Sequence, residues 1–337
     1  MFNFDPERYL RMQQGAVAGA HEASMIVGKV LSQGIDRIVF LGAGGAGLLM
    51  MPAVKLLQTT TTFPTYLEYP AEIIHTGSVN VGPKTLVVIP SRSGTTVESI
   101  AALNWAKEQG ATTMTLVGNR NTPLGQNADY AVENFVEDDT SCESFYIQAL
   151  GIVFAIQSAA GVSTSLQDSI TGLSGLPAAL LSAKEQIEPL ARNIANYIAS
   201  KDYHIITGSG SMWPEAFYYS MCILEEMQWI RTRPIHASDF FHGTLELVEP
   251  GVSMILFKGE DETRLLMDRV ESFARKYTNN IEVLDTRDIK LEGVNVLLRG
   301  QTSHAVMSAM LERVSAHLED VREHPLTTRR YYNRVSY

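Results

Sequence analysis

The stretch "KTLVVIPSRSGTTVESIAALNWAKEQGATTMTLVGN", residues 84–119, carries two short apolar runs on either side of a segment patterned as a helix. Runs of this length, rich in Val, Ile, Leu and Thr, read as strands buried on both faces, and a helix between two of them is the crossover of a parallel pair. Gly110 stands where that helix should stop, because the residue after a helix end often takes a left-handed conformation that glycine adopts at little cost. The turn that follows Ile89 is crowded with Ser91, Ser93, Thr95 and Thr96 around Gly94. A turn needs only the glycine. Hydroxyls and free backbone N–H groups at a helix start predict an anion, and phosphate is the expected one.

The same alternation extends outward. Asp5-Pro6-Glu7 predicts a helix start, with helical pattern to about Leu31. Strand-like "RIVFLG" (Arg37–Gly42), helical "LLMMPAVKLLQ" (Leu48–Gln58) and strand-like "PTYLEY" (Pro64–Tyr69) lead to the opening stretch. The second half echoes the first: "DYHIITGSGS" (Asp202–Ser211) matches "DRIVFLGAGG" (Asp36–Gly45), and Ser238–His242 matches Ala71–His75 as small residue, acid, two apolar residues, histidine. Each histidine is followed by another apolar run. This pattern predicts an α/β class with a duplicated unit. The small, polar stretch "SAAGVSTSLQDSITGLSGLP" places the boundary near residue 170, giving domains 1–170 and 171–337.

Composition narrows the function. At 337 residues and 45% hydrophobic the chain buries a sizeable core, and a net charge of −10 argues against a broad nucleic-acid surface. Two cysteines make no disulfide framework, no uncharged apolar run approaches the about 18 residues of a membrane span, and "MFNFDPERYLRM" lacks the pattern of a signal peptide. A cytoplasmic protein without nucleic-acid or membrane partners is expected.

"GAGGAG" (Gly42–Gly47) fits the dinucleotide fingerprint after a strand, with Glu68 near the place of a ribose-binding acid. That fingerprint alone is weak, and a dinucleotide site has no need of the second, hydroxyl-rich loop. Two such loops at the ends of neighbouring strands point instead to one small phosphorylated ligand.

"SRSGTTVES" resembles the phosphate loop of sugar-isomerase (SIS) domains, and the repeat is similar to the isomerase half of glucosamine–fructose-6-phosphate aminotransferase. "EEMQWI" (Glu225–Ile230), "SDFFHG" (Ser238–Gly243) and "HPLTTRRYYNRVSY" (His324–Tyr337) resemble bacterial deglycases of phosphorylated Amadori compounds, the fructoselysine-6-phosphate type. The resemblance implies two tandem SIS domains, each a mainly parallel flavodoxin-like three-layer unit, with helical extensions at both termini. It implies that Ser91, Ser93 and Thr96 hold the sugar phosphate and that Gly44 and Gly45 line the sugar. Arg92 stands where relatives often have glutamine and adds charge to the phosphate site. Ala46 departs from the family, which often has serine there, so one hydroxyl is missing.

Glu226 lies in "FYYSMCILEEMQWI", a helical stretch with little else charged, where burial would push a carboxylate toward neutrality and suit it to move a proton. Its solvated alternative is an exposed position beside Glu225. His242 precedes Gly243 at a strand-to-loop junction; the resemblance favours an acid–base role over a structural one. His75 is read as structural. The implied reaction hydrolyses a 6-phosphorylated sugar–amine adduct, fructoselysine 6-phosphate or its glucosyl isomer, through an enaminol and an imine. A phosphosugar isomerase, an amino-sugar phosphate deaminase and a non-catalytic sugar-phosphate sensor are the alternatives. No metal or organic cofactor is expected. The apolar residues of Phe217–Ile230 and His304–Arg322 predict a homodimer or larger assembly, and the resemblance has the histidine reach a neighbouring subunit.

Overall fold

The computed structural model describes residues 1–137, 141–162, 165–332 and 334–335. The chain divides into two compact units, Pro6–Ala178 and Met1–Asp5 with Ala179–Tyr337.

The first unit runs α1 (Pro6–Ser32), β1 (Arg37–Leu41), α2 (Gly44–Thr60), β2 (Thr65–Glu68), α3 (Pro70–Thr76), β3 (Thr85–Ser91), α4 (Val97–Glu108), β4 (Thr112–Val117), α5 (Pro123–Asn127), β5 (Tyr130–Glu133), α6 (Glu143–Ala159) and α7 (Leu166–Gly172). Its sheet has the order β2-β1-β3-β4-β5, and every pairing is parallel. Strand parity splits the core into two layers. Val39, Leu41, Val87 and Ile89 face α3, α4 and α5 through Ile73, Leu103 and Leu124. The alternate residues Ile38, Phe40, Leu86 and Val88 are also fully or almost fully buried, on the side where α1 and α2 pack with α6. The α1–α6 approach is so close that a Cβ on Gly151 would lie 1.9 Å from the Ala20 carbonyl oxygen. Gly110 takes φ +80° and the Ala111 N–H donates to the Ala106 carbonyl, so the helix stops as its sequence requires.

The second unit runs α8 (Leu176–Ala199), β6 (Tyr203–Gly208), α9 (Met212–Tyr218), a π-helix (Tyr219–Glu225), β7 (Arg231–His236), α10 (Ala237–Phe240), β8 (Ser253–Lys258), α11 (Arg264–Ala274), β9 (Ile281–Asp285) and α12 (Val296–Val321). Its parallel sheet has the order β7-β6-β8-β9. Ile205, Met254 and Leu256 pack on one side against Phe240, Met267 and Val270. The first residues of the chain belong here. The Phe2 N–H donates to Glu188 over 2.6 Å, and Glu188 also pairs with the fully buried Arg313 over 2.7 Å. Burial alone would raise the Glu188 carboxyl, but hydrogen bonds from Arg313 and Phe2 outweigh it and hold the group at about 2.

The structure corrects one argument for assembly. Apart from the exposed Trp229, most apolar residues of Phe217–Ile230 and His304–Arg322 are not left over for a partner. Tyr218, Tyr219, Ile223, Leu224 and Met227 are buried by the chain itself, as are Ala305, Val306, Met310, Val314 and Leu318 of α12. Among the described residues, no helix is long and apolar enough to cross a membrane.

Candidate functional site

In the first unit the chain leaves β1 toward β2 on one side and returns to β3 on the other. The carboxyl ends of β1 and β3 therefore flank a topological switch point, where open α/β sheets bind ligands. Both loops singled out in the sequence arrive there. After β1, Gly42 and Gly47 are needed for packing: a Cβ on Gly42 would lie 2.7 Å from the Gly47 Cα. Gly44 is exposed with φ +56°, and Gly45 and Ala46 are half-buried. The N-cap residue of α2 is Ala43, which has no side-chain acceptor.

After β3, Ser91 is buried and its Oγ accepts the Gly94 N–H over 3.1 Å. Gly94 itself takes φ +63°. Ser93 Oγ accepts the Thr95 N–H over 3.3 Å. Arg92, Ser93, Thr95 and Thr96 are exposed, and Thr96 begins α4 without a side-chain cap bond. Two helix starts without side-chain caps, a ring of hydroxyls and an exposed arginine thus meet at one end of the sheet. This arrangement suits a phosphate, which accepts N–H and O–H bonds from several directions. Ser91 organises the loop from inside, a role the sequence did not reveal.

Glu68 is engaged otherwise. Its Oε1 accepts from Ser78 Oγ over 2.9 Å and from Asn80 Nδ2 over 2.8 Å. The carboxylate anchors the loop after α3, which removes the acid that a dinucleotide reading relied on.

The second unit repeats the geometry and fills it. Gly210, after β6, takes φ +53° much as Gly44 does after β1. In the loop after β8, however, stands Asp261. Its carboxylate accepts the Ser211 N–H over 2.9 Å and Ser211 Oγ over 2.8 Å, and the Thr263 N–H over 2.9 Å. An internal anion occupies the helix start that an external one would use. Burial by itself would raise the Asp261 carboxyl; hydrogen bonds from Thr263 and Ser211 overcome it and hold the group below the ordinary carboxylate range.

A carboxyl depressed in the fold gives stability that is complete above its unfolded value of about 4 and is lost as pH falls through its folded value. Wild type should therefore exceed Asp261→Asn in denaturant stability at pH 6, and the gap should shrink steadily below about pH 4. A gap that stays constant down to acid pH contradicts this role.

Glu226 and His242 both lie in the second unit, on opposite sides of β7 in the chain. Glu226 precedes the amino end of the strand and His242 follows its carboxyl end. Six residues of strand span about 20 Å. The helix carrying Glu226 widens to π geometry over Tyr219–Glu225, with the Glu226 N–H donating to the Met221 carbonyl over 3.0 Å. Such segments occur frequently at functional sites.

The expected apolar environment of Glu226 is not found. The side chain is 29% exposed, and its Oε1 lies 2.8 Å from Arg329 Nε. The arginine comes from a tail far away in sequence, so the local apolar run gave no sign of it. Glu225 is exposed and accepts from Thr232 Oγ1 over 2.5 Å. His242 is exposed, in a turn after the short helix α10 rather than directly after a strand, and its N–H donates to the Asp239 carbonyl over 2.9 Å. His75 lies exposed in the last turn of α3.

Residues 33–158 match the family model of the SIS domain. The fructosamine deglycase FrlB of Bacillus subtilis is 29% identical over 328 residues, covering 97% of this chain and all of that one. The fructoselysine 6-phosphate deglycase of Escherichia coli K12 is 24% identical over 307 residues, covering 91% of this chain and 88% of that one. A crystal structure from Bacillus subtilis, provisionally described as a phosphosugar isomerase, superposes with a TM-score of 0.87 at 29% identity over 96% of this chain and 99% of that one.

Proposed function

We propose, from the match of residues 33–158 to the SIS domain, that the protein is a deglycase of 6-phosphorylated sugar–amine adducts, with fructoselysine 6-phosphate as its substrate. The observation that carries this reading is the contrast between the two switch points. The second is closed by Asp261, whereas the first presents Ser93 and Thr96, the backbone of Gly44 and Gly45, and Arg92, with Ser91 bracing the loop. We read the second unit as a second SIS-type repeat, on the strength of its matching strand order and of Gly210. Similarity to two named deglycases over almost the whole chain supports the reaction class.

The adduct carries a ketone at C2 and a secondary amine at C1. Glu226 takes a proton from C1, the electrons left behind form the C1–C2 double bond, and an acid protonates O2 to give the enaminol. A proton delivered to C2 then yields the C1 imine, so C1 is oxidised as C2 is reduced. Water adds to the imine, the C–N bond breaks, and glucose 6-phosphate and lysine leave. His242 supplies the acid or activates the water. Following the family resemblance, the histidine acts in a neighbouring subunit's site. The assembly is accordingly a homodimer or larger. Light scattering at working concentration checks this, and a fully active monomer rules it out.

The phosphate requirement tests the assignment. Incubation with fructosyl- and glucosyl-lysine, each with and without the 6-phosphate, should release sugar only from a phosphorylated adduct. Ser93→Ala should weaken substrate binding by about 1–3 kcal/mol, the loss of a hydrogen bond to a charged group. Equal turnover with and without the phosphate overturns the reading. Proton transfer without hydrolysis would make the protein an aldose–ketose isomerase, which the description of the Bacillus subtilis structure favours; an isomeric sugar phosphate as sole product would decide for it.

A further inference from the structure

Glu226 sits at the end of a helix that terminates under strain. Trp229 adopts φ +57°, a left-handed conformation that a bulky residue disfavours and that persists only where the surroundings impose it. What imposes it is the chain that follows α12. His324 meets the Trp229 ring edge-on at 4.6 Å, and the Arg330 guanidinium lies over the ring at 4.1 Å. Gln228 Nε2 donates to the His324 carbonyl over 2.7 Å, and Arg322 Nη2 donates to the Gln228 carbonyl over 3.2 Å. The tail is thus clamped to the Glu226 turn at both ends of the Gln228–Trp229 pair.

Within this clamp Arg329 is held from behind. Its Nη1 donates to the Leu326 carbonyl over 2.7 Å and to the Thr328 carbonyl over 3.0 Å, while Nε faces Glu226 Oε1 at 2.8 Å. The arginine side chain is only 12% exposed. A guanidinium fixed by two carbonyls presents its Nε–H in one direction, which a flexible ammonium would not do. Other charged groups around the turn have partners of their own: Glu225 is engaged by Thr232, Arg330 by Trp229, Arg322 by Gln228, Glu319 by the Leu326 N–H, and His324 packs on Trp229.

We propose that Arg329 is a positioning residue for the reaction, keeping the Glu226 carboxylate ionised and aimed for proton abstraction. The proposal rests on the reading of Glu226 as the base. A carboxylate beside an arginine stays charged at lower pH than it otherwise would, and its Oε2 keeps a defined direction. The tail is therefore part of the working site rather than a trailing end.

The pH profile of kcat/KM in the full-length protein reads this directly. Arg329→Gln should move the acid limb upward by about 1–3 pH units, because the cation that favours the ionised form is gone. Arg329→Lys keeps the charge but not the fixed fork, so the limb should stay near wild type while kcat falls roughly tenfold at unchanged KM. An acid limb unmoved in Arg329→Gln overturns the proposal. If that variant does not fold, Arg329→Lys decides alone, and an unchanged kcat overturns the proposal. A carboxyl 13C titration, with Glu226 assigned by its absence in Glu226→Gln, gives a readout independent of turnover. Full activity in Glu226→Gln would instead defeat the functional reading, and the titration would still report whether Arg329 sets the charge of Glu226.

Discussion

Glu226→Gln should lower kcat by about 100-fold or more while substrate binding persists. The substitution keeps the side chain's shape, and its amide oxygen can still accept from Arg329, so the clamp around the turn stays formed. What disappears is the lone pair basic enough to take the C1 proton. Isothermal titration with the phosphorylated adduct should give nearly the wild-type affinity. Glu225→Gln is the control. Its neighbour is Thr232 Oγ1, and it faces solvent, so its turnover should remain near wild type. Loss of activity in Glu225→Gln with retention in Glu226→Gln would mean that the wrong one of the two adjacent carboxylates carries the role. Retention in both would leave the reaction without a base and favour a sugar-phosphate sensor.

Gly94→Val should raise KM for the phosphorylated adduct by more than about tenfold, with a fold that still assembles. Two independent costs fall on one residue. The backbone sits at φ +63°, where a β-branched side chain is strained by about 1–2 kcal/mol. A Cβ there would also lie 2.1 Å from Thr122 Oγ1. Thr122 cannot simply withdraw, since it caps α5 by accepting the Gly125 N–H, and the Gly94 carbonyl accepts the Leu124 N–H over 3.1 Å. The loop must therefore shift, carrying Ser93 away from its place and breaking the Gly94–Ser91 hydrogen bond. Steady-state kinetics checks this, with the melting curve as a measure of folding. An unchanged KM would show that the phosphate is held elsewhere.

The parts of the molecule that follow from local rules were readable in advance. β3 and β8 are buried along their whole length, and both read as apolar runs. The Gly110 stop, the hydroxyl loop at Ser91–Thr96 and the echo of Asp36–Gly45 in Asp202–Ser211 are likewise visible as residue patterns. What escaped depends on residues distant in sequence. Asp261 looks like any acid in a polar loop until it meets Ser211, fifty residues away. Arg329 reaches Glu226 only because the chain doubles back after α12, so the apolar run around Glu226 suggested an isolated carboxylate where the fold supplies a cation. The apolar surplus of α12 reads as an interface because a sequence does not say which faces of a long helix are covered by the rest of the chain. The π-helix has no side-chain code that distinguishes it from the α-helix it extends.

The most direct test follows fructoselysine 6-phosphate by NMR in deuterated buffer, with wild type and Glu226→Gln side by side. Wild type should exchange the C1 proton for deuterium and release glucose 6-phosphate and lysine in equal amounts, while Glu226→Gln should do neither at a measurable rate. Intact adduct in the presence of wild type, bound but neither exchanged nor cleaved, would contradict the account.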